Sequence, residues 1–197
     1  MKYAIIGSGK IGTALARIFA RKNIQVAIAN SRGPETLASL TEELGPSVVP
    51  QSLQNAYKAE MIFLAVPFPS HRDVARQLNN WTGRIVVDLT NALHVPPEEL
   101  GGLLSSEVLS QAFVGARLVK AFNHLPAAQL GTSLEGQRQA VFISSNDADA
   151  SAAVAVVATQ LGFAPVELGR LDKGGAPLHV LGGRPGGLLF QNLVKVA

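Results

Sequence analysis

The sequence predicts an α/β protein with a doubly wound, mainly parallel sheet and a short C-terminal extension. Three observations predict this. Short apolar runs without polar alternation recur along the 197 residues, as expected of strands covered on both faces. Between them, apolar residues fall at helical spacing. A glycine-rich run, Gly7-Ser8-Gly9-Lys10-Ile11-Gly12, stands where the first strand meets the first helix. Composition agrees, because 47% hydrophobic and 16% charged residues suit a buried core rather than a disordered chain.

Each element follows in order. Residues 3–6 form the first strand, and Ile11, Ala14, Leu15, Ile18 and Phe19 trace one buried helix face. Residues 24–29 form the second strand, closing a βαβ unit whose crossover is right-handed. Pro34 suits the first turn of a second helix reaching Leu44, which Gly45-Pro46 stops. A short strand at Val48-Val49 precedes a helix over 53–59 and a fourth strand over 61–66, ended by Pro67. Ser70 is placed to cap a helix through Leu78. Residues 84–88 and 117–122 read as the fifth and sixth strands, separated by an irregular and then helical stretch over 91–112. Residues 140–144 read as a strand, and Asn146, Asp147 and Asp149 open a helix to about Leu161. Residues 165–168 form the last strand.

Residues 1–197 are expected to make a single domain, with 140–197 as a C-terminal α/β extension bordering an acceptor site. Residues 162–187 hold eight of the nineteen glycines, which suits a surface wrap or loops beside a pocket. The apolar end, 188–196, has helical potential. Leu188, Leu189, Phe190 and Leu193 could pack on the chain itself or on a second subunit, making a homodimer.

The glycine run gains meaning from its place after a strand and before a helix, the setting of a Rossmann-type phosphate loop. Gly7 allows the tight turn, Gly9 lets backbone approach a pyrophosphate, and Gly12 lets helix and strand pack closely. Ser8, Lys10 and Ile11 complete the loop, with free N–H groups of Lys10 and Ile11 at the positive helix end. Where an NAD site carries an acidic residue, the second strand ends in Asn30-Ser31-Arg32. Without a carboxylate, Arg32 can fork onto a 2′-phosphate and Ser31 can donate to it, so NADP(H) is expected over NAD(H). Ala65, Val66 and Pro67 follow the fourth strand and are expected near the middle of the cofactor. Asn91 and Ala92 follow the fifth, and Asn91 could reach a ribose or carboxamide.

Little side-chain chemistry is visible elsewhere. There is no cysteine, and His71, His94, His124 and His179 lack metal-ligand spacing, so no metal site is expected. No Tyr-x-x-x-Lys pair and no Gly-x-Ser-x-Gly elbow occurs. The run Lys120-Ala121-Phe122-Asn123-His124 ends the sixth strand. Asn123 and His124 are the best candidates for catalytic groups, His124 as a proton donor. Lys120 reads as a snorkelling strand residue. A net charge of +3 with scattered Lys and Arg argues against a nucleic-acid partner. No apolar run reaches the ~18 residues of a membrane span, so a soluble cytoplasmic protein is expected.

Taken together, these residues resemble the deazaflavin-dependent NADP oxidoreductase family, which uses the F420-type coenzyme, with its bacterial relatives and the dinucleotide domain of the metalloreductases. The likeness rests on residues 6–12, Asn30-Ser31-Arg32, Leu64-Ala65-Val66-Pro67 and Val119-Lys120-Ala121-Phe122-Asn123. It implies an NADPH site at residues 8–11, Ser31 and Arg32. It also implies hydride transfer between nicotinamide and a deazaflavin, flavin or ferric-complex acceptor, with the cofactor carrying the chemistry. The chain departs from some members at Glu35 and Thr36, where they carry a further basic residue. A non-catalytic NADP(H)-binding redox sensor or partner protein is the alternative. Reduction of a small imine or ketone is a third reading, for which His124 is the only proton donor.

Overall fold

The computed structural model describes residues 2–131, 137–181, 184–185 and 194–195. Six parallel strands form the centre of its sheet: β1 (Tyr3–Ile6), β2 (Val26–Ala29), β3 (Val48–Pro50), β4 (Met61–Leu64), β5 (Ile85–Asp88) and β6 (Arg117–Ala121). Their spatial order is β3-β2-β1-β4-β5-β6. The long β7 (Arg138–Ser145) joins β6 antiparallel, and β8 (Ala164–Glu167) joins β7 parallel. A backbone pair, β9 (Val180–Leu181) with β10 (Arg184–Pro185), stands apart, while β11 (Val194–Lys195) lies antiparallel on β7. The chain turns to opposite sides of β1 for β2 and β4. That switch point is where open α/β sheets leave a crevice at their carboxyl ends.

The strands are apolar without alternation because both faces are covered. Tyr3, Ile5 and Phe63 enter one core, with Leu15, Ile18 and Phe19 of α1 (Lys10–Arg21) and Val154 and Val157 near the chain's end. Ala4, Ile6, Ile62 and Leu64 enter the other, with Tyr57, Trp81 and Phe113. The remaining helices are α2 (Ala38–Leu44), α3 (Leu53–Ala56), α4 (His71–Ala75), α5 (Ser105–Ala112) and α6 (Ala148–Gln160). Asp147 caps α6 by accepting from the Ala150 N–H at 2.9 Å, as the acidic cluster there predicts.

Several boundaries differ from expectation. The fourth strand stops at Leu64, although the Ala65 N–H still donates to the Ile6 carbonyl at 2.8 Å. The sixth strand stops at Ala121, where Phe122 turns to a φ of 64°. Ser70 belongs to a 3-10 turn and its side chain caps nothing, and α4 ends at Ala75 rather than Leu78. Likewise α3 ends at Ala56 and not at residue 59. Lys120 does not snorkel: it is fully buried, its ammonium 2.8 Å from Asp88. Val194 and Lys195 form a strand, not a helix, and Leu188, Leu189, Phe190 and Leu193 lie outside the described residues. No helix among the described residues is long and apolar enough to cross a membrane.

Candidate functional site

The glycine loop is shaped by two close approaches. Gly7 has a φ of 109°, and a Cβ there would lie 2.3 Å from the Ala65 carbonyl oxygen. A Cβ on Gly12 would lie 2.0 Å from the Gly7 carbonyl oxygen. Gly9 is different, since a Cβ there would meet nothing within 4 Å. The first two glycines let protein pack on protein, whereas the third leaves the outer surface of the loop bare. Gly9 also caps α1 without a side chain, and no acidic residue sits in the first turn. The leading N–H groups of a twelve-residue helix are thus left for an anion.

Opposite this loop, β2 ends at a side chain held from three directions. The Asn30 amide nitrogen donates to Ser8 Oγ at 2.9 Å and to Thr36 Oγ1 at 3.1 Å, while its oxygen accepts from the Arg32 N–H at 2.9 Å. Ser31 and Arg32 are exposed, and no ion pair engages Arg32 among the described residues. A free guanidinium therefore stands beside a bare helix N-terminus.

Between them lies a cavity of about 400 Å³ at the carboxyl ends of β1, β2 and β4. Gly7, Ser8, Gly9, Asn30, Ser31, Arg32, Ala65, Val66 and Pro67 line it. Sequence reasoning missed its far wall, made by Leu53, Tyr57, Ser70, Asp73, Val74 and Gln77. No motif marks these positions; the only available signal was that helices after β3 and β4 must flank the crevice. Tyr57 stands edge-on to Trp81 with ring centroids 5.6 Å apart, and its hydroxyl has no hydrogen-bond partner among the described residues. Burial pushes its pKa up to about 12, so the phenol stays protonated.

The other predicted residues fall elsewhere. Lys10, Ile11 and Gly12 form the first turn of α1 and supply its leading N–H groups, but none of the three lines the cavity. Asn91 and Asn123 meet each other: Asn123 Nδ2 donates to Asn91 Oδ1 at 3.0 Å, and Asn91 Nδ2 to the Asn123 carbonyl at 2.8 Å. Asn123 Nδ2 also donates to the Leu178 carbonyl at 2.9 Å, which ties a C-terminal segment over the ends of β5 and β6. Ala92 is fully buried. His124 is buried against Phe142, with Nε2 3.2 Å from the Ala140 carbonyl, and it does not line the cavity. Burial lowers its pKa.

Beside this clasp lies a buried polar cluster. Asp88 accepts from Lys120 Nζ at 2.8 Å and from the Thr90 N–H and hydroxyl at 2.8 and 2.7 Å. Lys120 also donates to the Thr90 carbonyl at 2.7 Å, so the charges are paired and hydrogen-bonded, as burial demands. His179 Nδ1 lies 3.0 Å from Ser105 Oγ. Desolvation and then the Lys120 charge push the His179 pKa down to about 4, keeping this ring neutral. Among the described residues no three acidic or histidine side chains are grouped to hold a metal ion.

The parallel sheet, the glycine loop and the crevice at its switch point define a Rossmann-like α/β protein. Over residues 2–92 the chain matches the family described as NADP oxidoreductase, coenzyme F420-dependent. It is also 43% identical to a hypothetical protein from Sinorhizobium meliloti, covering all of this chain and 96% of that one, with a TM-score of 0.90. A candidate F420-dependent NADP-reductase from Arthrobacter sp. FB24 is 27% identical over 87% of this chain and 86% of its own, with a TM-score of 0.71. The metalloreductase STEAP3 of Rattus norvegicus is 28% identical over 86% of this chain, of which the match covers 34% of its own length. The chain thus spans about a third of that curated relative. The chain is thus a full-length relative of the Sinorhizobium protein and, over residues 2–92, resembles the coenzyme F420-dependent NADP oxidoreductase family.

Proposed function

We propose that this protein binds NADP(H) and presents it for hydride transfer to or from a planar deazaflavin or flavin, or for reduction of ferric complexes, two ferric centres taking one electron each and the proton passing to solvent. The observation that carries the reading is the pairing of a bare loop and helix N-terminus with an unpartnered Arg32 across one cavity. The fit is chemical: a pyrophosphate suits the N–H groups of the loop, and a 2′-phosphate suits Ser31 and Arg32. When bound, the nicotinamide supplies the transferable hydride, a proton with two electrons. The chain's residues then bind and orient it, which is the larger share of what a hydride transfer asks of a protein. Gly7 and Gly12 hold the loop against β4, Gly9 admits the phosphates, and Arg32 selects the phosphorylated ribose. We assign no proton transfer to His124, whose ring is buried away from the cavity.

Arg32→Ala tests the cofactor assignment. A charge-assisted contact of about 1.5–3 kcal/mol corresponds to at least a tenfold loss of NADPH affinity. NADH affinity should stay within twofold, and equal losses for both would refute the assignment. Steady oxidation of NADPH with deazaflavin, free flavin or a ferric chelate then identifies the acceptor class. A non-catalytic sensor is the second reading, favoured by the Leu178 segment lying across the ends of β5 and β6. Tight NADPH binding with turnover by none of these acceptors would support it.

A further inference from the structure

We propose that Thr36, which does not line the cavity, determines coenzyme specificity by positioning Arg32 through Asn30. This rests on the NADP(H) reading above and adds to it a residue outside the cavity.

Hydrogen-bond polarity links these three residues. The Thr36 hydroxyl donates to the Gly33 carbonyl at 2.8 Å. With its proton nearest that carbonyl, it offers a lone pair to Asn30 Nδ2 at 3.1 Å, and its 3.4 Å approach to Asn30 Oδ1 is the weaker alternative. An amide has a donor end and an acceptor end, so this contact favours the orientation of Asn30 that the Arg32 N–H requires. The oxygen end faces the Arg32 N–H, which can only donate, at 2.9 Å. A reversed amide would set donor against donor at Arg32. The second Nδ2 hydrogen reaches Ser8 Oγ at 2.9 Å. Thr36 therefore orients one side chain that joins the glycine loop to the turn bearing Ser31 and Arg32. Ser31 and Arg32 in that turn are exposed, Gly33 has a φ of 98°, and among the described residues Arg32 makes no side-chain contact with a charge. Selection of a 2′-phosphate requires the guanidinium to be held before the ligand arrives, because a turn ordered only on binding spends part of the contact energy on its own ordering.

The test measures NADPH and NADH affinity for the wild-type chain, Thr36→Val, Thr36→Ser and Arg32→Ala, and for Arg32→Ala combined with Thr36→Val, with thermal melts of each. Valine keeps the shape and removes the hydroxyl, while serine keeps the hydroxyl. The expected result is a five- to tenfold loss of NADPH affinity in Thr36→Val, less than twofold change for NADH, and near wild-type binding in Thr36→Ser. In the Arg32→Ala background, Thr36→Val should cost nothing further, since the positioning acts through Arg32. Equal losses for both coenzymes, or no loss, in a wild-type chain that prefers NADPH would overturn the proposal and leave the cofactor assignment standing. A wild-type chain without NADPH preference would overturn both. If Thr36→Val melts below the assay temperature, Thr36→Ala takes its place in the same comparison.

Discussion

Adding one methyl group to Gly12 or to Gly9 should produce opposite phenotypes, though the two lie three positions apart in one loop. At Gly12 the new Cβ would lie 2.0 Å from the Gly7 carbonyl oxygen and 3.4 Å from the Ala65 side chain. The first contact is with backbone and cannot be relieved by rotating a side chain, so α1 must lift from β1. Overpacking of this kind costs about 3 kcal/mol, and the higher helix propensity of alanine returns about 1 kcal/mol. The net loss of about 2 kcal/mol corresponds to a Tm lowered by about 4–8 °C in a domain of this size. At Gly9 the φ is −75° and nothing stands within 4 Å, so Gly9→Ala should melt within about 1 °C of wild type. Its methyl would instead occupy the space a pyrophosphate needs, and NADPH affinity should fall at least tenfold. Thermal melts with and without NADPH read both effects. A Gly12→Ala chain with unchanged Tm would refute the close-approach argument. A Gly9→Ala chain binding NADPH normally would refute the placement of the phosphates.

Two further outcomes concern the buried polar groups. Lys120→Met leaves Asp88 buried without its cation and should cost about 3–5 kcal/mol, and thermal melts should show Asp88→Asn in the same chain recovering more than half of it. Burial lowers the pKa of His71, His124 and His179, the last to about 4. A histidine depressed in the folded state contributes stability above its unfolded value near 6.5 and loses it as pH falls through the folded value. Melts between pH 7 and 4 should show stability declining below about pH 6.5, each ring contributing up to about 1.4 kcal/mol per pH unit. His179→Asn should remove one proton from that slope.

The site was legible in the sequence where backbone geometry dictates residue type. Only glycine tolerates the φ of Gly7 or the contact at Gly12, so the loop announces itself from residue identity alone. The end of β2 stood out for a related reason, since Asn30-Ser31-Arg32 sets a cation where a carboxylate would set an anion, and the structure brings it to one cavity with the glycine loop. The far wall was not legible. Leu53 and Val74 come from two short helices and Tyr57 and Gln77 from just beyond their ends, and these side chains carry no spacing that separates lining from packing. Lys120 and His124 also misled, because a strand-end charge and a strand-end imidazole read the same whether they face solvent, ligand or core.

By itself, then, the sequence determined the α/β class, the order of the main strands and helices up to β8, and the glycine turn between β1 and α1. These depend on local periodicity and on backbone positions that admit one residue type. The tertiary structure alone decided which polar groups meet. Asp88 and Lys120 lie 32 positions apart, as do Asn91 and Asn123, while Asn123 and Leu178 lie 55 apart. Such pairings follow from strand register and from where the chain returns across the sheet, and neither is encoded in the neighbourhood of the residues they join. Thr36 differs in range, lying six positions from Asn30, but the path of the turn between them, which the structure alone shows, sets its hydroxyl against the Asn30 amide.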